Sequence, residues 1–151
     1  MRRLTVGALI SSALVLASGN TATAGPAPGA AAVQWSAAHG ASTASGTRWT
    51  EPSGIGNALV VEGELRGAGA GCSSVWVQWT RDLAPGPYRV HATQCGDEVT
   101  PVHIRLDPYW PTTTGRLKVC RGTADMNDCG PSISLTSWPA GNAEKSSSPT
   151  P

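Results

Sequence analysis

The sequence lacks the local patterns that mark common catalytic sites. It contains no G-x-S-x-G nucleophile elbow, no H-E-x-x-H helix, no phosphate-binding loop and no dinucleotide-binding glycine fingerprint. Its aspartates and glutamates fall mostly at turn positions, and no base stands near its many serines and threonines. We therefore predict a non-catalytic protein without a cofactor, and keep a small extracellular hydrolase as a second alternative.

The sequence also lacks a strong charge excess and a long apolar run. Eleven Lys and Arg residues stand against ten Asp and Glu residues, for a net charge of +1. Electrostatics thus gives no reason to expect nucleic acid or anionic lipid as a partner. The apolar run from Leu4 to Ala17 is shorter than the roughly 20 residues that cross a bilayer as a helix, and no second run follows. We predict no membrane span.

That apolar run is instead typical of a secretory signal peptide. Arg2 and Arg3 precede it, and small residues ending at Ala24 follow it. Cleavage after Ala24 would leave nine basic against ten acidic residues, a net charge of −1. We predict a secreted, extracellular protein with four segments: a signal peptide (1–24), a flexible segment (25–32), one domain (33–139) and a disordered tail (140–151).

Four cysteines remain after the signal, at Cys72, Cys95, Cys120 and Cys129. An even number in an exported chain indicates two disulfides. Zinc is disfavoured because the sequence has no C-x-x-C spacing and no histidine near the last two cysteines. Four cysteines permit three connectivities, and the strand pattern has to choose among them.

Hydrophobic periodicity of two runs through the domain. The segments with this pattern are five to nine residues long, are rich in β-branched or aromatic side chains, and are bounded by Gly, Pro or Asp. They are NALVVEGEL, SSVWVQWT, YRVHATQ, TPVHIRL, RLKVC and SISLTSW, with weaker candidates at VQWSA and around Trp49. We predict an all-β fold, a small antiparallel β-sandwich of immunoglobulin-like or jelly-roll form with six to eight strands.

The strand pattern predicts a hairpin with its turn at RDLAPGP, and this hairpin indicates which cysteines pair. If Cys72 faces Cys95, one face of the hairpin is wholly apolar, whereas a slip of one residue would mix the two faces. That apolar face places Val75, Val77 and Trp79 opposite Ala92, Val90 and Tyr88. We predict the disulfide Cys72–Cys95, which leaves Cys120 to pair with Cys129.

The opposite face of this hairpin supplies the leading functional hypothesis. If TPVHIRL pairs next to YRVHATQ, His103 lies opposite His91, and Val102, Ile104 and Leu106 point to the core. The repulsive pairing of Arg105 with Arg89 leaves this register open. The predicted ligand-binding residues are Trp76, Gln78, Arg89, His91 and His103.

On this hypothesis Trp76 stacks on a sugar ring or another planar ligand, so the partner is a glycan, an envelope component or another extracellular ligand. The competing interpretation is an ordinary solvent-facing sheet surface. Two imidazoles without a nearby carboxylate make a weak metal site, so we predict no bound metal.

Two further features have both a functional and a structural interpretation. Glu62 and Glu64 lie on the same face of one strand. The functional interpretation is a pair of carboxylates for acid/base chemistry, and the structural one is a stripe of side chains that faces solvent. The loop CRGTADMNDCG is closed by a predicted disulfide, and rigid loops bind proteins at low entropic cost. The first alternative function is thus inhibition of an extracellular protease or amylase, with Arg121 or Met126 as the anchor.

The chain resembles small secreted actinobacterial β-sandwich proteins. The segments that carry the resemblance are Cys72…Trp76-x-x-Trp79…Cys95-Gly96, TTTGRLKVC and DCG. The resemblance covers about residues 57–138 and implies fold and export but no activity. Tendamistat-type amylase inhibitors are similar in size and disulfide number, but Trp79-Thr80-Arg81 departs from their tryptophan-arginine-tyrosine triplet. Neocarzinostatin-like apoproteins share a short late disulfide loop but have a narrower first cysteine pair.

Overall fold

The computed structural model describes residues 31–67 and 69–138. The predicted signal peptide (1–24) and tail (140–151) lie outside the described residues, as does most of the predicted flexible segment. In the described part no helix is long and apolar enough to cross a membrane.

Nine strands make up the described fold, which is all-β. They are β1 (Val33–His39), β2 (Ser42–Ser53), β3 (Gly56–Arg66), β4 (Cys72–Arg81), β5 (Ala84–Pro85), β6 (Arg89–Cys95), β7 (Val99–Tyr109), β8 (Thr114–Arg121) and β9 (Ile133–Ser134). Each predicted segment contains a strand, and the two weaker candidates are β1 and β2. The last segment, SISLTSW, is reduced to the two residues of β9.

These strands form two antiparallel sheets that pack face to face. The first sheet has the order β1-β2-β3-β7. In the second sheet β4 pairs with β8 on one side and with both β5 and β6 on the other. The short β9 pairs with the free side of β8. The predicted antiparallel β-sandwich is confirmed. The core between the sheets contains aliphatic side chains of both, among them Leu59, Leu65, Val75, Leu117 and Leu135, all fully buried.

Both predicted disulfides are present. Cys72 is bonded to Cys95, joining β4 to β6, and Cys120 is bonded to Cys129, closing the loop after β8. The two bonds lie at the same end of the sandwich, where Ser42 and Ser73 also form a hydrogen bond of 2.5 Å between the sheets.

The predicted β4/β6 register is correct only near the disulfide. Cys72 faces Cys95 and Val75 faces Ala92, but Trp76 faces Val90 and Val77 faces Arg89, because His91 is an extra residue in a β-bulge. Tyr88 lies outside the strand, and Trp79 faces Gly115 of β8 instead.

The reason for this shift is a tighter turn than the sequence suggested. Asp82 and Leu83 form a two-residue turn between the paired Arg81 and Ala84. The register that this turn sets between β4 and β5 differs by two residues from the register that the disulfide sets between β4 and β6. One extra residue is taken up at His91 and the other between Pro85 and Arg89.

The predicted pairing of His103 with His91 is wrong. After β6 the chain crosses to the first sheet, where β7 pairs with β3 and His103 faces Glu62. The predicted faces of β7 are correct, because Val102, Ile104 and Leu106 are buried in the core. The predicted surface shared by His91 and His103 therefore does not exist.

In each sheet a tryptophan ring lies over a glycine of another strand. In the first sheet the Trp35 ring lies over Gly63, where a Cβ atom would come 2.7 Å from Cζ2 of the ring and 2.2 Å from the Ser45 carbonyl oxygen. In the second sheet a Cβ on Gly115 would lie 2.2 Å from the Trp79 ring. Both glycines thus make room for a large ring inside a small core.

We expect Gly63→Ala to lower the free energy of unfolding by about 3 kcal/mol, since the added methyl group has backbone on one side and a buried ring on the other. Gly54→Ala is the matched control, because a Cβ there meets nothing within 4 Å, and its effect should stay within about 0.5 kcal/mol. Urea unfolding followed by circular dichroism measures both. Equal stability of the two variants would contradict the close packing of Trp35.

We expect replacement of Cys72 and Cys95 by alanine to lower the free energy of unfolding by about 3.5 kcal/mol, the chain-entropy value for a loop of this length. Cys95 is exposed and Cys72 is half-buried, so lost packing adds little. Urea unfolding under non-reducing conditions measures the loss. A change below about 1 kcal/mol would show that the bridge constrains the unfolded chain far less than its loop length implies.

Candidate functional site

The outer surface of the first sheet carries a row of four polar side chains. Gln34 of β1 faces Thr47 of β2, Thr47 faces Glu62 of β3, and Glu62 faces His103 of β7. Paired residues of an antiparallel sheet point to the same side, and strands lie about 4.8 Å apart, so the row is about 14 Å long. An amide, a hydroxyl, a carboxylate and an imidazole are thus aligned across the whole sheet.

A shallow groove with a volume of about 570 Å³ follows this row. The next row along the strands forms its second side, where Ser45 faces Glu64 and Glu64 faces Pro101. Oxygen and nitrogen atoms that can donate or accept hydrogen bonds therefore line both sides. We call this surface the sheet groove.

The charges of the sheet groove are mainly negative. Oε1 of Glu62 lies 3.3 Å from Nδ1 of His103, and 29% of the Glu62 side chain is exposed. Glu64 accepts two hydrogen bonds from Arg66, at 3.0 and 2.5 Å, at the outer end of β3. Glu62 is thus an accessible carboxylate whose ionic partner is a histidine rather than a permanent cation.

The floor of the sheet groove is held from inside the core by Trp35. Its indole Nε1–H is directed at the backbone carbonyl oxygens of Thr47, at 3.1 Å, and of Glu62, at 3.2 Å. These two residues carry the central side chains of the polar row. The packing of one buried ring therefore sets the position of the groove.

An ion-pair cluster lies beside the polar row, on the side away from Glu64. Arg105 donates to Glu51 and, at 3.2 Å, to Asp107. The hydrogen bond from Arg105 holds the pKa of Glu51 below its usual value, and the same bond raises the pKa of Arg105. Trp49, which is buried although it points outward, lies beside this cluster with its indole nitrogen 3.4 Å from Glu51. The cluster thus covers an aromatic ring that would otherwise be exposed.

The structure separates the five predicted ligand-binding residues. His103 lies in the sheet groove, whereas Trp76 and Gln78 lie on the outer face of the second sheet. Trp76 is half-buried, and its indole nitrogen donates to Ser74 at 2.8 Å. The Gln78 amide donates to the Gly86 carbonyl at 2.8 Å. Both polar groups therefore already have partners within the fold.

The remaining two predicted residues lie near the β-bulge. His91 is the bulged residue, and partial desolvation together with the Arg89 charge lowers its pKa. Arg89 lines a small cleft with Trp79 and Gly86 rather than the Trp76 face. Trp76 is accompanied instead by Val90 and Lys118, its partners on the two adjacent strands. Valine thus holds the position beside Trp76 that was predicted for histidine, and a lysine lies on the other side.

The predicted inhibitor loop packs against the first sheet. Asp128 lies 2.5 Å from His39 and 3.5 Å from Arg121, and Gly130 packs against the Ala38 carbonyl. Arg121 is exposed but tied to Asp128, and Met126 is half-buried. The loop is closed by the predicted disulfide and contacts the first sheet, whereas its role as an inhibitor stays a prediction.

Sequence reasoning missed Gln34, Thr47 and the partner of Glu62. The signal for them was the alternation of polar residues in β1, β2 and β3 around Gly46 and Gly63. These glycines face each other on the inner side, and pairing them fixes the register of β2 with β3. In the described residues no group of three or more His, Cys, Asp or Glu side chains is arranged to hold a metal ion.

Comparison with protein-family models, with curated proteins and with solved structures finds no match for this chain.

Proposed function

We propose that this chain is a secreted, non-catalytic binding protein and that the sheet groove holds a neutral or amino-bearing glycan. The observation that carries the proposal is the aligned row of Gln34, Thr47, Glu62 and His103 along an open groove. Two disulfides and the absence of a membrane-crossing helix in the described part are compatible with secretion.

The mixture of side chains in the sheet groove supports a glycan ligand. Sugar hydroxyls both donate and accept hydrogen bonds, and the row offers a carboxylate acceptor, an amide with both functions, a hydroxyl and an imidazole. Hydrogen bonds to a charged acceptor such as Glu62 are about twice as strong as neutral ones. A row of about 14 Å suits a short oligosaccharide lying across the strands.

The charge of the sheet groove supports a choice among glycans. Glu62, which is paired with a histidine rather than with a permanent cation, would repel sulfate or uronate groups and would attract a protonated amine. Neutral sugars and amino sugars therefore fit the groove better than acidic ones do.

We expect the mature chain to bind neutral or amino-bearing oligosaccharides in a glycan panel and to leave sulfated and uronate ones unbound. Glu62→Gln should weaken binding at least about tenfold, because a charged hydrogen bond contributes about 1.5–3 kcal/mol. Isothermal titration with the best ligand measures the change. Glu98→Gln is the matched control, since it neutralises an exposed carboxylate in the β6–β7 turn, and it should leave affinity unchanged.

Three results would contradict this proposal, each in its own way. Loss of binding in Trp76→Ala with full binding in Glu62→Gln would move the site to the Trp76 face. Release of new reducing ends from the bound glycan would make the protein a hydrolase. Inhibition of an extracellular protease or amylase, abolished by Arg121→Ala, together with no glycan binding, would favour the inhibitor function.

A further inference from the structure

Three turns at one end of the sandwich each present a large apolar side chain to solvent. Ile55 lies in the β2–β3 turn, Leu83 in the β4–β5 turn and Trp110 in the β7–β8 loop. Their exposed fractions are 74%, 95% and 48%. They are three of the six exposed large apolar residues in the part of the chain that the structure describes. We call these three side chains the apolar tips.

The apolar tips belong to one surface. A Cβ on Gly56, next to Ile55, would lie 3.9 Å from the Trp110 ring. Asp82, next to Leu83, lines a cleft of about 750 Å³ together with Trp110 and Pro111. This end lies opposite the two disulfides. β2, β4 and β7 all finish here, whereas Cys72 begins β4, Cys95 ends β6 and Cys120 lies near the end of β8.

Leu83 is unfavourable for the isolated fold in two respects. Asp82 and Leu83 have φ angles of 49° and 66°, so both central residues of the two-residue turn are in the left-handed region. Asn-Gly and Asp-Gly are preferred there, because a branched or bulky residue with positive φ is strained. Leu83 accepts that strain and buries almost none of its side chain. Nothing in the folded domain compensates for leucine at this position, which indicates a role outside the domain.

We infer that the apolar tips insert into the surface of a lipid bilayer and hold the protein there reversibly. Each tip projects from a separate turn. Arg81, Asp82 and Asp107 line the cleft between two of the tips, together with Trp110, two prolines and two threonines. Charged side chains thus interrupt the apolar surface, which lacks the continuous apolar centre of a protein interface. Isolated aliphatic side chains with a less exposed indole suit the boundary between headgroups and acyl chains, where tryptophan is enriched.

The charges beside the apolar tips define the kind of membrane. Arg81 and Asp82 adjoin Leu83 and cancel each other, and Asp107 is bonded to Arg105 and Ser53. With no net positive charge on this surface, anionic lipid gives no added attraction. Attachment should therefore depend on the apolar side chains alone and should be insensitive to salt.

We expect the mature chain to cosediment with vesicles of pure phosphatidylcholine at millimolar lipid. It should bind equally well when part of the lipid is phosphatidylglycerol, and equally well at high salt. Binding should shift the tryptophan emission to shorter wavelength, and Trp110→Phe should remove most of that shift. No cosedimentation with either vesicle would overturn the inference, and so would binding that requires phosphatidylglycerol.

Leu83→Asn separates attachment from folding. Asparagine tolerates the left-handed conformation, so this variant should raise Tm by about 2–5 °C. It should weaken vesicle binding about tenfold, since the leucine side chain no longer enters the bilayer. Val99→Ser is the matched control, because Val99 is an exposed apolar residue, 44% accessible, at the opposite end of the sandwich, and its variant should bind vesicles as the native chain does.

Two outcomes of this comparison would overturn the inference. Vesicle binding that is equal in Leu83→Asn and the native chain would show that the turn does not enter the bilayer. Concentration-dependent self-association without lipid, abolished by Leu83→Asn, would identify a second copy of the chain as the occupant of this surface. Glycan binding in the sheet groove should be the same in Leu83→Asn and the native chain, which keeps this test distinct from that of the proposed function.

Discussion

The packing of the Trp35 ring at the facing glycines Gly46 and Gly63 determines how β1, β2 and β3 are positioned in the first sheet. The ring lies where a side chain at position 63 would be, and a Cβ on the facing Gly46 would meet the backbone of Glu62 and Gly63. Its Nε1–H is directed at the carbonyls of Thr47 and Glu62, so the inner packing and the outer polar row depend on the same contact. A sheet is rigid along its hydrogen-bond ladder, and this ring fixes three strands at once. The sheet groove is therefore positioned by the core rather than by its own side chains.

The second sheet shows how two local constraints produce an irregular strand. The Asp82–Leu83 turn and the Cys72–Cys95 bridge each favour a register, and the two registers differ by two residues. The bulge at His91 and the break between β5 and β6 absorb the difference. As a result Val90, rather than His91, lies beside Trp76. On this face an apolar side chain thus takes the place that the sequence assigned to an imidazole, and Lys118 lies on the other side of Trp76.

The sequence allowed the fold class, both disulfides and the inward faces of β4 and β7 to be predicted, because these depend on alternation and on cysteine number. Which strands become neighbours across the sandwich depends on the path of the chain. The short GDEV link is compatible with a hairpin, yet it carries the chain from one sheet to the other. His103 for this reason faces Glu62 rather than His91. The Asp82–Leu83 turn was missed because leucine occupies a position where glycine is the usual signal.

Constraints are distributed unequally between the two ends of the sandwich. Both disulfides, the Ser42–Ser73 bond and the contacts of Asp128 with His39 and Arg121 lie at one end. At the other end the turns at Ile55 and Leu83 are held by their strand ladders, which require no large apolar side chain at the tip. A polar residue would serve the fold equally well at either turn. Large apolar side chains at these unconstrained positions therefore have no explanation in folding, and this sets them apart from the equally hydrophobic residues of the core.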